Sequence, residues 1–303
     1  MHPAPSIIVF TVLSGLGLGL IAWIGLGFGP GEGAFGWVAC ILAMAITGGG
    51  GIASTGHLAR PDRAWRAFSQ WRSSWLSREA CLMIATLGLF AVYAALWLLF
   101  GTRIWILGVV IAGLSIATIY ATAMIYAQLK TVPRWSSAPT PLMFVGAGLG
   151  SGYLALQAAL AVSGVGGSVL GMIAALAVTM LSIAHWRQKA ATLRRDADGS
   201  TLGTATGLGS IGTVRLLEPP HTGKNYLLKE MAFQVGRNRS AQLVRAGWVL
   251  GLGLPLALAA LALVLGGWVL LPALLAHVAG LMAFRWLFFA EAEHVQALYY
   301  GHG

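Results

Sequence analysis

The sequence predicts an all-α polytopic membrane protein, an eight-transmembrane-helix bundle with both termini on the cytoplasmic side. Three observations carry this. Hydrophobic residues make up 57% of the 303 residues and mean hydropathy is +0.78, more apolar surface than a soluble domain of that length hides. The apolar residues fall in eight runs, each of about the length that crosses a hydrocarbon core as a helix. Of the 19 Lys and Arg residues, all but Arg103 and Arg285 lie in alternate connections between runs.

The runs cover residues 7–28, 35–54, 80–100, 104–126, 141–162, 169–185, 248–269 and 271–290. In lipid a backbone N–H or C=O finds no water, so a spanning run must satisfy itself as a helix. A membrane β-barrel would show short alternating segments, and there are none. The last two runs nearly touch, and Gly266, Gly267 and Pro272 mark a tight hairpin there. Glycines recur at 15, 17 and 19, at 48–51, and at 146, 148, 150 and 152. Close helix approach is the simpler reading of these faces; room for a flat ring is the sharper one. The N-terminus lacks the basic flank and cleavage pattern of a signal peptide, so the first run is expected to be retained.

The connections after runs two, four and six share one side with both termini. They hold the positive charge, which the positive-inside rule places in the cytoplasm. The opposite connections contain Arg103 alone among basic residues. The net charge of +10 therefore reads as membrane orientation rather than nucleic-acid binding. Cys40 and Cys81 sit in apolar surroundings without metal or disulfide spacing. The chain reads as one domain, residues 1–303, with its longest connection at 186–247. That connection suggests a loop, a short strand over 213–217, a turn over 219–223 and a helix from Asn225. It is too small for a catalytic domain and large enough to dock a partner.

The densest charge lies at 57–79, HLARPDRAWRAFSQWRSSWLSRE, between runs two and three. Arg60, Arg63 and Arg66 read most simply as interface anchors, and Trp65, Trp71 and Trp75 as an aromatic belt. His57 and Glu79 bracket the stretch at one membrane interface. Ser77 is a candidate N-cap for the third helix, and Glu79 would favour its dipole. The functional reading is a quinone site, which needs an apolar slot, a hydrogen-bond donor and a proton carrier near water. Imidazole and carboxylate supply the last two. Haem is the competing cofactor, with His57 facing His185 or His294 at that interface; His277 falls nearer the other side. A transporter would need polar groups near the midplane of broken helices, where this sequence has almost no charge. Arg285 is expected to reach the interface or to pair with Glu291.

The segments HLARPDRAWRAFSQWRSSWLSREA and EPPHTGKNYLLKEMAFQVGR, with the eight-run layout, resemble the dimethyl sulfoxide reductase anchor-subunit family. The resemblance implies a haem-free, multi-pass subunit of the inner (cytoplasmic) membrane of a bacterium. Such subunits hold an iron–sulfur subunit, and through it a molybdopterin catalytic subunit, and exchange electrons with ubiquinone or menaquinone. It implies that His57 and Glu79 handle quinol, and it matches Arg60, Arg72, Ser77 and Arg78 to the same motif. The quinone-site reading adds Trp71, which with Arg60 and Arg72 would shape the mouth. The partner-facing connections carry the positive charge, which places the partner in the cytoplasm. In this the chain looks like the anchors of cytoplasmic sulfite dehydrogenase complexes. The subunit would then react with quinone and not with sulfite itself. A dimethyl sulfoxide reductase-type anchor oxidising menaquinol, or a haem-carrying relay, is the alternative.

Overall fold

The computed structural model describes residues 4–55, 61–193, 201–215, 217–218 and 239–295. They form α1 (Pro5–Gly25), α2 (Ala34–Thr55), α3 (Trp75–Phe100), α4 (Trp105–Ala127), α5 (Pro139–Val162), α6 (Val169–Thr192), a short α7 (Leu202–Thr206), α8 (Ser240–Leu265) and α9 (Leu270–Ala290). The eight long helices correspond one to one with the eight runs. No strand occurs among the described residues. The strand expected over 213–217 is absent at 213–215 and 217, where no second strand stands beside it to bond its backbone. The expected turn at 219–223 and the helix from Asn225 lie outside the described residues.

Helix ends follow local chemistry. Ser74 caps α3 by accepting from the Ser77 N–H at 3.4 Å, and Gly101, at φ +69°, closes it, its N–H donating to the Trp97 carbonyl and that of Thr102 to the Leu96 carbonyl. Ser168 caps α6 in the same way through Gly171. Three helices outrun the apolar pattern by more than a turn. α3 begins at Trp75 rather than Ala80, α6 continues past His185 to Thr192, and α8 begins at Ser240 rather than Trp248. The added turns carry Arg187, Lys189 and Arg245, whose long stems let a charged turn continue a membrane helix into the interface. The longest connection is therefore shorter than 186–247.

α1 runs through the centre, packed against α2, α4, α5 and α9, while α3–α4, α5–α6 and α8–α9 form hairpins. Small residues set the closest approach. A Cβ on Gly152 would overlap the backbone of Gly19 and Leu20, so α1 and α5 meet backbone to backbone. α8 contains a π turn at Val249–Gly253. Pro255, four residues after Gly251, has no N–H to give the Gly251 carbonyl. The His277 Nδ1–H of α9 donates to that carbonyl instead, at 2.7 Å.

The two ends of the bundle differ. Arg134 and Arg187 converge on Glu291 at 3.3 and 3.4 Å, and the Val295 N–H donates to the Thr131 carbonyl. The connections after α4 and α6 thus meet the C-terminal segment at one end, called here the basic end. At the other, lean end, Arg103 donates to the Gly29 and Ile24 carbonyls. Arg285 does not pair with Glu291 as expected. Glu291 is held by two other arginines, and Arg285 turns inward over the Phe144 ring at 3.8 Å.

Candidate functional site

The connection between α2 and α3 is described from Pro61. It opens with a 3-10 helix, Pro61–Phe68, and reaches α3 through a turn. Arginine–tryptophan stacking gives it form. Arg66 lies over Trp65 at 5.5 Å, Arg72 over Trp71 at 5.4 Å and Arg78 over Trp75 at 4.3 Å. Arg78 also donates from Nε to the Trp71 carbonyl at 3.0 Å and from Nη2 to the Arg72 carbonyl at 2.6 Å. Arg78 therefore staples the connection to the first turn of α3.

The residues expected to share one site divide between two faces. Trp71 and Arg72 are exposed on the outside. Ser77 and Glu79 are buried, and Ser77 lies within the first turn rather than capping it. That shift moves Glu79 inward. Its side chain is 4% exposed and turns toward α4, where Thr122 donates to Oε1. Deeper on the same seam the Thr86 and Thr118 hydroxyls lie 3.2 Å apart. Sequence reading missed Thr122, although Thr118 and Thr122, one turn apart within an apolar run, mark a polar stripe. His57 and Arg60 lie outside the described residues. Of the other histidines, His185 is exposed on α6, and burial holds the His294 imidazole below its ordinary pKa.

The family model for the DMSO reductase anchor subunit (DmsC) matches residues 1–193, which include the whole connection and Glu79. The chain belongs to the DMSO reductase anchor subunit family. It is also similar to a sulfite dehydrogenase subunit from Allochromatium vinosum, at 33% identity over 327 residues and 99% of each chain. This anchor is a multi-pass membrane protein, with eight helices among the described residues long and apolar enough to cross a bilayer.

The glycines of α2 differ along its length in this anchor. α2 and α3 make a close contact at the lean end, where a Cβ on Gly36 would press Leu98 at 2.9 Å and Trp97 at 3.1 Å. Toward the basic end, Gly50 packs on Ser14 of α1, but a Cβ on Gly48, Gly49 or Gly51 would meet nothing within 4 Å. Gly51 lies four residues before the end of α2, and Glu79 four residues after the start of α3. Each therefore lies about one turn from the basic-end limit of its helix as described. The glycines at 48–51 leave room as well as packing.

Proposed function

We propose that the protein is the membrane anchor and quinone-binding subunit of a molybdopterin oxidoreductase complex. It passes electrons between an iron–sulfur subunit and the quinone pool, most directly in sulfite oxidation coupled to quinone reduction. The similarity to a sulfite dehydrogenase subunit supports the choice of sulfite. The excess of Lys and Arg in the basic-end connections supports a cytoplasmic position for that end, both termini and the partner.

The observation that carries the quinone reading is Glu79, a buried carboxylate one turn inside a membrane helix. Ionisable side chains at such depth are costly and mark function. The residues fit the group: glycine supplies an unobstructed flat surface, and Glu79 supplies a proton-holding oxygen. Bound there, quinone supplies a lipid-soluble carrier of two electrons and two protons. Glu79 holds a proton at Oε, kept in orientation by Thr122. His57, two residues beyond the described end of α2, serves as the facing hydrogen-bond donor. Arg78 holds the connection over the site, while Arg60, Arg72 and Trp71 shape its rim. The exposed arginine–tryptophan pairs of that rim, with the connection after α6, form the docking face for the iron–sulfur subunit.

In the intact complex, Glu79→Gln keeps the shape of the side chain and removes its proton exchange. Quinone reduction is expected to fall by roughly 100-fold or more, while a soluble acceptor still turns over. Equal loss with both acceptors would indicate failed assembly and count against the reading, as would unchanged quinone turnover.

A further inference from the structure

α9 carries a guanidinium inside the bundle. Arg285 is 8% exposed, rests on the Phe144 ring, and its buried Nη1 has no hydrogen-bond partner among the described residues. Beside it lies a cavity of about 30 Å³ between α1, α4, α5, α6 and α9. Its polar lining comprises Thr11 and Ser14 of α1, Thr122 of α4, Ser151 of α5 and Arg285. The bonding of these hydroxyls decides what fits. Thr11 donates to the Ile7 carbonyl at 2.8 Å, Ser14 to Phe10 at 2.6 Å and Ser151 to Ala147 at 2.5 Å. Thr122 donates to Glu79. A hydroxyl has one proton, and each of these is engaged, so all four oxygens offer the cavity only lone pairs. Arg285 offers only protons.

A small anion needs several donors and finds one. Water suits both kinds of partner, accepting from Nη1 and donating to hydroxyl oxygens. The volume has room for about two waters. Thr122 belongs to the cavity and to Glu79 at once. Toward the basic end, Trp186 and Phe288 line the cavity. The Arg134–Glu291–Arg187 cluster closes that end of α6 and α9.

We infer that the cavity holds a pair of ordered waters that, with the Thr122 hydroxyl, relays protons between the basic end and Glu79. This rests on the proposed role of Glu79. As a proton enters the water pair, one leaves it for the Thr122 oxygen, and the proton of Thr122 passes to Oε1 of Glu79. One proton enters and one arrives. Arg285 is a positioning residue: its Nη1–H holds a water by its lone pair and so directs the water's own protons at the hydroxyl oxygens.

Two measurements test this. A cryo-EM map of the complex that resolves ordered water is expected to show density within hydrogen-bond distance of Arg285 Nη1 and of at least one lining hydroxyl. An empty cavity, or an occupant other than water, would overturn the inference without any appeal to turnover. Reduction of a short-chain quinone analogue is then compared in H2O and D2O. Thr122→Val and Arg285→Met, the second of which leaves the Glu79–Thr122 bond intact, are each expected to slow it roughly tenfold or more with a larger solvent isotope effect. Thr122→Ser should restore both values. Wild-type rates in both variants, with Glu79→Gln still impaired, would remove the relay and leave the role of Glu79 standing. A Glu79→Gln variant that also runs at the wild-type rate would remove both.

Discussion

Arg103 and Arg285 stand at opposite ends of the bundle and are accounted for in opposite ways. Arg103 donates to Tyr93 Oη at 3.3 Å, to the Gly29 carbonyl at 3.1 Å and to the Ile24 carbonyl at 3.4 Å, and it covers the Trp97 ring at 4.2 Å. It sews the α1–α2 and α3–α4 connections together, and its donors are met by the chain. Arg285 has aromatic faces for company, an unpartnered donor and a cavity beside it. A cation fully met by its own chain is a structural tie. A cation with a donor left open among the described residues has room for a further partner, which the inferred relay takes to be water. The lean-end arginine is a tie, and the arginine toward the basic end keeps a donor free for the inferred relay.

The largest expected effect on stability breaks the tie. Arg103→Ala removes three charge-assisted hydrogen bonds and leaves the Gly29 carbonyl without its arginine donor, while the Ile24 carbonyl keeps the Gly27 N–H. A loss of about 3 kcal/mol is expected, read as a lower melting temperature of the detergent-purified complex. Quinone turnover per surviving complex should not change, because nothing at Glu79 is touched. A variant that melts with wild type would show that Arg103 is no tie.

His277 sharpens the comparison, since its Nδ1 is partnered for a definable reason while its buried Nε2 has no partner among the described residues. Pro255 leaves the Gly251 carbonyl without a helical donor, and His277 supplies one. His277→Ala should therefore cost about 2 kcal/mol, the usual scale for stranding a buried carbonyl. Pro255→Ala restores an N–H at the position that can serve Gly251. In that background the His277→Ala loss should shrink by about 1 kcal/mol, a coupling visible in a double-mutant cycle of melting curves. Additive losses would mean that the proline and the histidine answer different needs.

How much of this was legible in the sequence depended on distance along the chain. The eight helices could be read because each is specified by its own composition. Their ends could not, where Arg187 and Arg245 extend α6 and α8 beyond the apolar pattern. Glu79 stood out as a carboxylate at the mouth of an apolar run. Its burial did not, because that depends on Ser74 rather than Ser77 starting the helix, and on a threonine 43 residues away. The expected Arg285–Glu291 pair failed for the same kind of reason. Glu291 is claimed by Arg134, 157 residues distant, and Arg187, 104 residues distant, contacts that no local spacing announces. Gly251 and His277 were closer to legible, since a proline inside a membrane run always frees a carbonyl that some donor must find.

The smallest expected change in stability comes from Arg285→Met, and it separates the two arginines most cleanly. Burying a charge with an open donor is unfavourable, so removing the charge relieves a cost. Against that stand the lost contact with the Phe144 ring, about 1–2 kcal/mol when desolvated, and a slightly larger cavity. A thioether of similar length refills most of the volume. The terms nearly cancel, and melting should move by less than about 1 kcal/mol in either direction. Arg103→Ala should therefore cost stability and spare turnover, whereas Arg285→Met should spare stability and cost turnover. A large destabilisation by Arg285→Met would make Arg285 a second tie and erase the distinction between the ends.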